Sequence, residues 1–215
     1  AHSQNGLKDI QKRYQQLSTR GAELELLDKQ KTNQRIGSSK FFGALFNKSA
    51  GTINPLSYCI GLALAAQSKG ANIYETTLAT KIQSINGHWL IKTTAGLIEA
   101  KMLLIATNAY QQPIKGIKSP EYTNVHYFQV ATNPLSEKDT KMILPNGEGC
   151  WDTASVMSSF RLDEDNRLII GGVGNLGHGA SKIHTNWSRR KITSLFPNLK
   201  NTPIEYKWHG RIAMT

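Results

Sequence analysis

The chain has very little cysteine. Cys59 and Cys150 are the only two in 215 residues, far apart and in no CxxC pair, which rules out a disulfide framework and gives no sign of a zinc site. Unpaired thiols imply a reducing compartment, so a cytoplasmic protein is the expectation. Long apolar runs are also missing. No stretch approaches the ~20 residues needed to cross a bilayer, so no membrane span is expected, and no basic-then-apolar signal segment opens the sequence. Acidic residues are scarce, 15 against 26 Lys and Arg, for a net charge of +11. Such an imbalance invites a nucleic-acid reading, but the charge is spread too evenly for one. Lys and Arg number 9 in residues 1–50, 8 in 51–150 and 9 in 151–215, and only Arg189-Arg190-Lys191 forms a block. A generally basic, solvated surface follows, and no nucleic-acid partner is expected. The six histidines are scattered, with no Ser/His/Asp arrangement and no metal-ligand spacing. His178 and His209 fall in loops or beside Trp208, where a plain polar role is expected.

What is present suits one large domain or two small ones, with 39% hydrophobic residues to build a core. Leu7, Ile10, Tyr14 and Leu17 recur at helical spacing over residues 7–20, and Gly21 is a stop. Residues 23–28, ELELLD, suit a strand or a short helical turn. Residues 34–48 carry Phe41, Phe42, Leu45 and Phe46 among glycines and read as strand and turn. Pro55 suits the first turn of a helix capped by Asn54 and closed by Gly70. Its small face, Gly61, Ala63, Ala65 and Ala66, suits close packing on a sheet. A short strand is expected at 71–75. Residues 79–82 lead into a hairpin, 89–94 and 97–100, that turns at Ala95-Gly96. Residues 102–105, MLLI, read as a strand buried on both faces, with Ala106, Thr107 and Asn108 as a polar exit at its carboxyl end. Further on, 122–135 alternates as a strand, 150–172 reads as two strands joined by a polar turn at 163–166, and 185–196 reads as a helix capped by Thr185 or Asn186 and ended by Pro197. The segment 203–215 is extended.

The tract GTINPLSYCIGLALAA at 51–66 and ATNAY at 106–110 are specific. They are joined by Gly70, Ile73, Glu75, Thr94, Gly96 and Ala100, and later by Ala131-Thr132, Pro134-Leu135, Asp152, Phe160-Arg161, Arg167-Leu168, Gly171-Gly172, residues 196–199 (FPNL), Trp208 and Gly210. On these residues, over about 40 to 215, the chain resembles the flavin-dependent amine and amino-acid oxidases of the D-amino-acid oxidase and glycine oxidase superfamily. Within it the likeness is greatest to gamma-glutamylputrescine oxidases.

The resemblance implies an α/β (α+β) chain: part of an FAD-binding Rossmann-like domain plus an antiparallel-sheet substrate domain. Residues 49–111 would be the partial FAD domain, 1–48 and 112–207 the substrate domain with its connecting helices, and 208–215 the return towards the FAD domain. The implied activity is oxidation of a C–N bond of an amine or amino acid, with FAD as cofactor and oxygen as acceptor. Cofactor contacts would come from Ala79 (where relatives have Val), Ala106, Thr107, Asn108 and Gly210, and substrate contacts from Met157 and Trp208. Arg211 stands near the place where small amino-acid oxidases hold a carboxylate, but at the wrong spacing. The implied N-terminal βαβ fingerprint is missing, so the sequence reads as the middle of an oxidase. The competing reading is a non-catalytic basic binding module on such a fold.

Residues 172–177 spell GxGxxG after a strand. A dinucleotide fingerprint must open a helix whose N-terminus meets the pyrophosphate, with a carboxylate ~20 residues on. The residues that follow are polar and poorly helical, and the carboxylate is missing. A flexible loop is the expectation.

Overall fold

The structure, a computed structural model, describes residues 1–119, 121–177 and 179–214. The chain forms two compact units, one of Ala1–Ile53 and His126–Gly210, the other of Asn54–Val125 and Arg211–Thr215.

The first unit is built on a five-stranded sheet. Its strands are β6 (Thr123–Pro134), β7 (Cys150–Trp151), β8 (Ser158–Leu162), β9 (Arg167–Val173) and β10 (Ile204–Met214), in the order β10-β6-β9-β8-β7. The β6–β9, β8–β9 and β7–β8 pairs are antiparallel, in the registers Phe128↔Gly172, Phe160↔Ile170 and Cys150↔Phe160. Period-2 alternation decides the two faces. Phe128, Val130, Phe160, Leu168 and Ile170 point one way and are buried against Ile192, Leu195, Phe196 and Leu199, with Ile36, Phe41, Leu135, Ile143 and Leu144 completing the cluster. The aromatic rings meet in preferred geometries: Phe160 lies edge-on to Phe196 at 6.0 Å between centroids and stacks on Phe41 at 6.1 Å.

The covering helix is α5 (Ala180–Leu195). It starts five residues before the expected Thr185. Gly179 supplies the cap in a left-handed conformation, with no side-chain hydrogen bond, so no Ser, Thr, Asp or Asn marked the start. Helix α1 (Gln4–Ser18) is capped by Ser3, whose Oγ accepts the Gly6 N–H at 3.1 Å. Helix α2 (Lys29–Ile36) lies where strand and turn were expected from residue 34. Asp28 caps it through Lys31 N–H at 2.8 Å, and Gly37 ends it at φ 77°. Its sequence KQKTNQRI buries only Thr32 and Ile36, so periodicity had little to register. A two-stranded ribbon, β1 (Leu24–Leu27) with β2 (Ala44–Asn47), completes the unit.

In the second unit, α3 (Pro55–Ser68) has Pro55 in its first turn and Asn54 Oδ1 accepting the Ser57 N–H at 3.1 Å, as the sequence predicts. A three-stranded meander follows: β3 (Ala79–Ile85), β4 (His88–Thr93) and β5 (Leu97–Ala100). Ile82 and Ile91 are buried in it, and Ala109, in the turn that follows, is buried as well.

Two expectations fail here. Residues 71–75 form no strand, and neither do 101–107. Met102 and Leu104, expected inside, are 87% and 88% exposed. An extended segment becomes a strand only when a neighbour takes up its N–H and C=O groups, and among the described residues none pairs with 101–107. Its apolar sequence records a preference for burial that this chain alone does not satisfy. The same holds for α3, which has no buried residue instead of lying on a sheet containing 72–75 and 101–105.

Candidate functional site

The five-stranded sheet of the first unit has one face covered by α5. The other face carries the alternate residues of each strand. Gln129, Gly171, Ser159 and Trp151 sit opposite one another across β6, β9, β8 and β7. Beside them Ala131, Ile169 and Arg161 form a second row, and Tyr127 pairs with Val173. The Tyr127 hydroxyl and Ser159 Oγ are 2.8 Å apart and share a hydrogen bond. It reaches across β9 at Gly171, where a Cβ would lie 2.7 Å from the Gln129 side chain and 2.9 Å from the Tyr127 ring. A side chain at 171 would therefore push the tyrosine and glutamine off the sheet. The result is a set of hydroxyl, amide, guanidinium and indole groups on a rigid scaffold, able to orient a polar substrate through hydrogen bonds and one aromatic surface.

Met157 precedes β8, and Trp208 lies on the edge strand β10, half-exposed. With β6 and β9 between their strands, the structure does not bring these two expected substrate residues together. Met157 does have a brace. Asp152, fully buried, accepts hydrogen bonds from the Ala154 N–H (3.1 Å), the Ser158 N–H (3.2 Å), the Ser158 hydroxyl (2.6 Å) and the Lys191 ammonium (2.8 Å). Burial alone would push this carboxyl up. The hydrogen bonds from Lys191, Ser158 and Ala154 and the lysine's charge outweigh it and hold the carboxyl below its ordinary value. Asp152 thereby ties loop 152–158 to α5.

The GxGxxG tract has a packing role. The Gly172 position faces Trp187 of α5, 3.1 Å from where a Cβ would be, and the Gly174 position faces the His184 ring at 2.4 Å, with φ 147°. His184 in turn lies tilted against the Phe128 ring, 4.6 Å between centroids. These glycines admit two α5 rings against β9. His209 lies 6.4 Å from His126, ring to ring, and His178 is outside the described residues.

In the second unit, Ala79 is the first residue of β3. Ala106 and Thr107 are irregular, and Asn108 opens a short 3-10 turn, Asn108–Tyr110, at φ 46°, its Oδ1 accepting the Ala109 N–H at 2.6 Å. Thr107 Oγ1 donates to Gln111 Oε1 at 3.1 Å. Gly210 closes the first unit. Arg211, in the second, has its N–H on the Tyr110 hydroxyl at 3.0 Å and its guanidinium 4.7 Å from that ring's centroid. Arg211 is thus engaged by a tyrosine, a partner that a separation of 101 residues hides from sequence reading.

FAD needs surfaces for its flat rings and donors for its diphosphate. Ala79, Ala106, Thr107 and Asn108 offer small or polar uncharged side chains and backbone groups. They do not fit the diphosphate. Among the described residues the β1–β2, β3–β4, β4–β5, β6–β9, β7–β8 and β8–β9 pairs are antiparallel, and no glycine turn joins a parallel strand to a helix N-terminus.

A family model described as FAD dependent oxidoreductase matches residues 1–215. A probable oxidoreductase, OrdL, of Haemophilus influenzae is 32% identical over 196 residues, covering 89% of this chain and 44% of its own length. The gamma-glutamylputrescine oxidoreductase of Escherichia coli is 30% identical over 198 residues, covering 90% and 45%. Among solved structures, glycine oxidase from Geobacillus kaustophilus superimposes with a TM-score of 0.83 over 99% of this chain and 57% of that one, at 19% identity, which speaks to the fold. The chain thus spans a little under half the length of these curated relatives.

Proposed function

Since the chain belongs to the FAD-dependent oxidoreductase family, we propose that it is the substrate-domain part, with a portion of the flavin domain, of an oxidase acting on the C–N bond of an amine. A gamma-glutamylputrescine-like amine is the proposed substrate, on the likeness to the Escherichia coli protein. Oxygen is the proposed acceptor and the cytoplasm the proposed setting. No described helix is long and apolar enough to cross a membrane.

The observation that carries the reading is the family match over the whole chain together with a sheet whose face away from α5 carries Tyr127, Gln129, Ser159, Arg161 and Trp151. FAD supplies, when bound, the acceptor for the electrons leaving the C–N bond. The chain's own residues orient the substrate. The Tyr127–Ser159 pair leaves oxygen lone pairs for an amine N–H, Gln129 offers an amide, and Trp151 gives a flat surface for an aliphatic stem. Ala79, Ala106, Thr107, Asn108 and Gly210 are proposed to line the cofactor's path, and Met157 and Trp208 to approach the substrate.

The test uses this polypeptide extended to the length of its relatives and loaded with FAD. Gamma-glutamylputrescine should bleach the flavin, and Tyr127→Phe should raise KM about fivefold, the worth of one ordinary hydrogen bond. A flavin that neither this compound nor a simple amine or amino acid bleaches would overturn the reading.

A further inference from the structure

Three lysines stand side by side on one face of the meander. In the β3–β4 register Lys81 is opposite Lys92. On the other side of β3, Lys115 forms a parallel bridge with Lys81, held by the Ile82 N–H donating to Lys115 O (2.8 Å) and the Lys115 N–H donating to Thr80 O (3.1 Å). Partners in such pairs project to the same side of a sheet, and neighbouring backbones lie ~4.8 Å apart, so the row is about 10 Å long. The adjacent pair Ile82 and Ile91, both buried, faces the opposite way. Lys92 and Lys115 are exposed and Lys81 half-buried.

Among the described residues no hydrogen bond or ion pair neutralises any of the three ammonium groups. The chain's described ion pairs go to other lysines, Lys48, Lys118, Lys141 and Lys191. Leu97 is the residue opposite Lys92 on β5. Glu99, the acidic residue of the meander, is held by His88 Nδ1 at 2.6 Å. Like charges directly opposite on a sheet are unfavourable, and Lys115 is fixed in the row by its backbone. Gly116 follows it at φ 99°, where a Cβ would lie 1.9 Å from Ile82 O, so only glycine lets the segment close on β3.

We propose that the row Lys115, Lys81, Lys92 is a binding site for an oligophosphate, a linear chain of phosphate groups laid across the three strands. Each lysine is a compact point charge suited to phosphate oxygen. A linear polyanion meets all three, whereas a single carboxylate meets one. The site is independent of the oxidase reading and uses none of its residues.

The experiment titrates the 215-residue chain with sodium tripolyphosphate by calorimetry at low salt, with ATP in a parallel arm. Binding should be detected, Lys81→Gln should weaken it about fivefold, as for one exposed charge pair, and the triple variant K81Q/K92Q/K115Q should abolish it. The control K8Q/K12Q, which removes two charges from α1, should leave it unchanged. Equal response to ATP assigns a nucleotide's phosphate chain, and response to tripolyphosphate alone assigns the free anion. No binding by the wild-type chain, or equal weakening in K8Q/K12Q, overturns the proposal. Circular dichroism confirms that each variant keeps its fold, and the single K81Q decides should the triple variant not.

Discussion

At the scale of the residue, the decisive feature is a buried carboxylate with one hydrogen-bonded cation among the described residues. Asp152 is satisfied by two N–H groups, a hydroxyl and Lys191, and removing the lysine takes away the charge it is hydrogen-bonded to. Lys191→Met should therefore cost about 3 kcal/mol, the lower end for breaking a buried pair because the lysine retains some exposure. Urea unfolding of the two proteins measures it. The pH dependence follows from the direction of the shift. A carboxyl held below its unfolded value, ~3.9, contributes fully above that value, and the contribution is lost as pH falls through the lower, folded value. Wild type should lose stability below about pH 4 more steeply than Lys191→Met. The two cysteines differ in the same terms. Burial, with Glu148 adding to it, pushes the Cys150 thiol up to about 12, whereas Cys59 is exposed. Iodoacetamide at pH 8 should modify Cys59 in the folded chain and spare Cys150 until denaturant is added, as read by peptide mass mapping.

At the scale of the element, helix α5 is seated against the glycines at the end of β9 and just beyond it, Gly172 and Gly174. Gly174→Ala would place a methyl within 2.4 Å of the His184 ring and a non-glycine residue at φ 147°, so a loss of about 2–3 kcal/mol is expected, checked by thermal melting. What was legible in the sequence divides along the same line. The α3 start, with Asn54 and Pro55, and the hairpin at Ala95-Gly96 are written in adjacent residues, and both were readable. The start of α5 was not, because Gly179 caps it without a side chain. Helix α2 was not, because a helix burying two residues of eight carries little period. Residues 102–105 show the converse, since their apolar run is real but a strand is a relation between two segments. The Tyr127–Ser159 hydrogen bond, 32 residues apart, and the Tyr110–Arg211 contact arise only when strands and turns meet, so local patterns could not announce them.

At the scale of the whole molecule, the chain carries a five-stranded sheet and, on the proposed reading, only part of a cofactor site. The residues proposed to meet FAD, Ala79, Ala106, Thr107 and Asn108, carry no charge to neutralise a diphosphate, and charge-assisted hydrogen bonds at ~1.5–3 kcal/mol each account for powers of ten in affinity. The most direct measurement is a titration with FAD, followed by flavin fluorescence, of the 215-residue chain and of the same polypeptide extended to its relatives' length. The account predicts tight binding by the extended protein and binding weaker than about 100 μM by the chain alone. Micromolar or tighter binding by the 215 residues would show that the diphosphate's anchoring groups lie within them, and would contradict it.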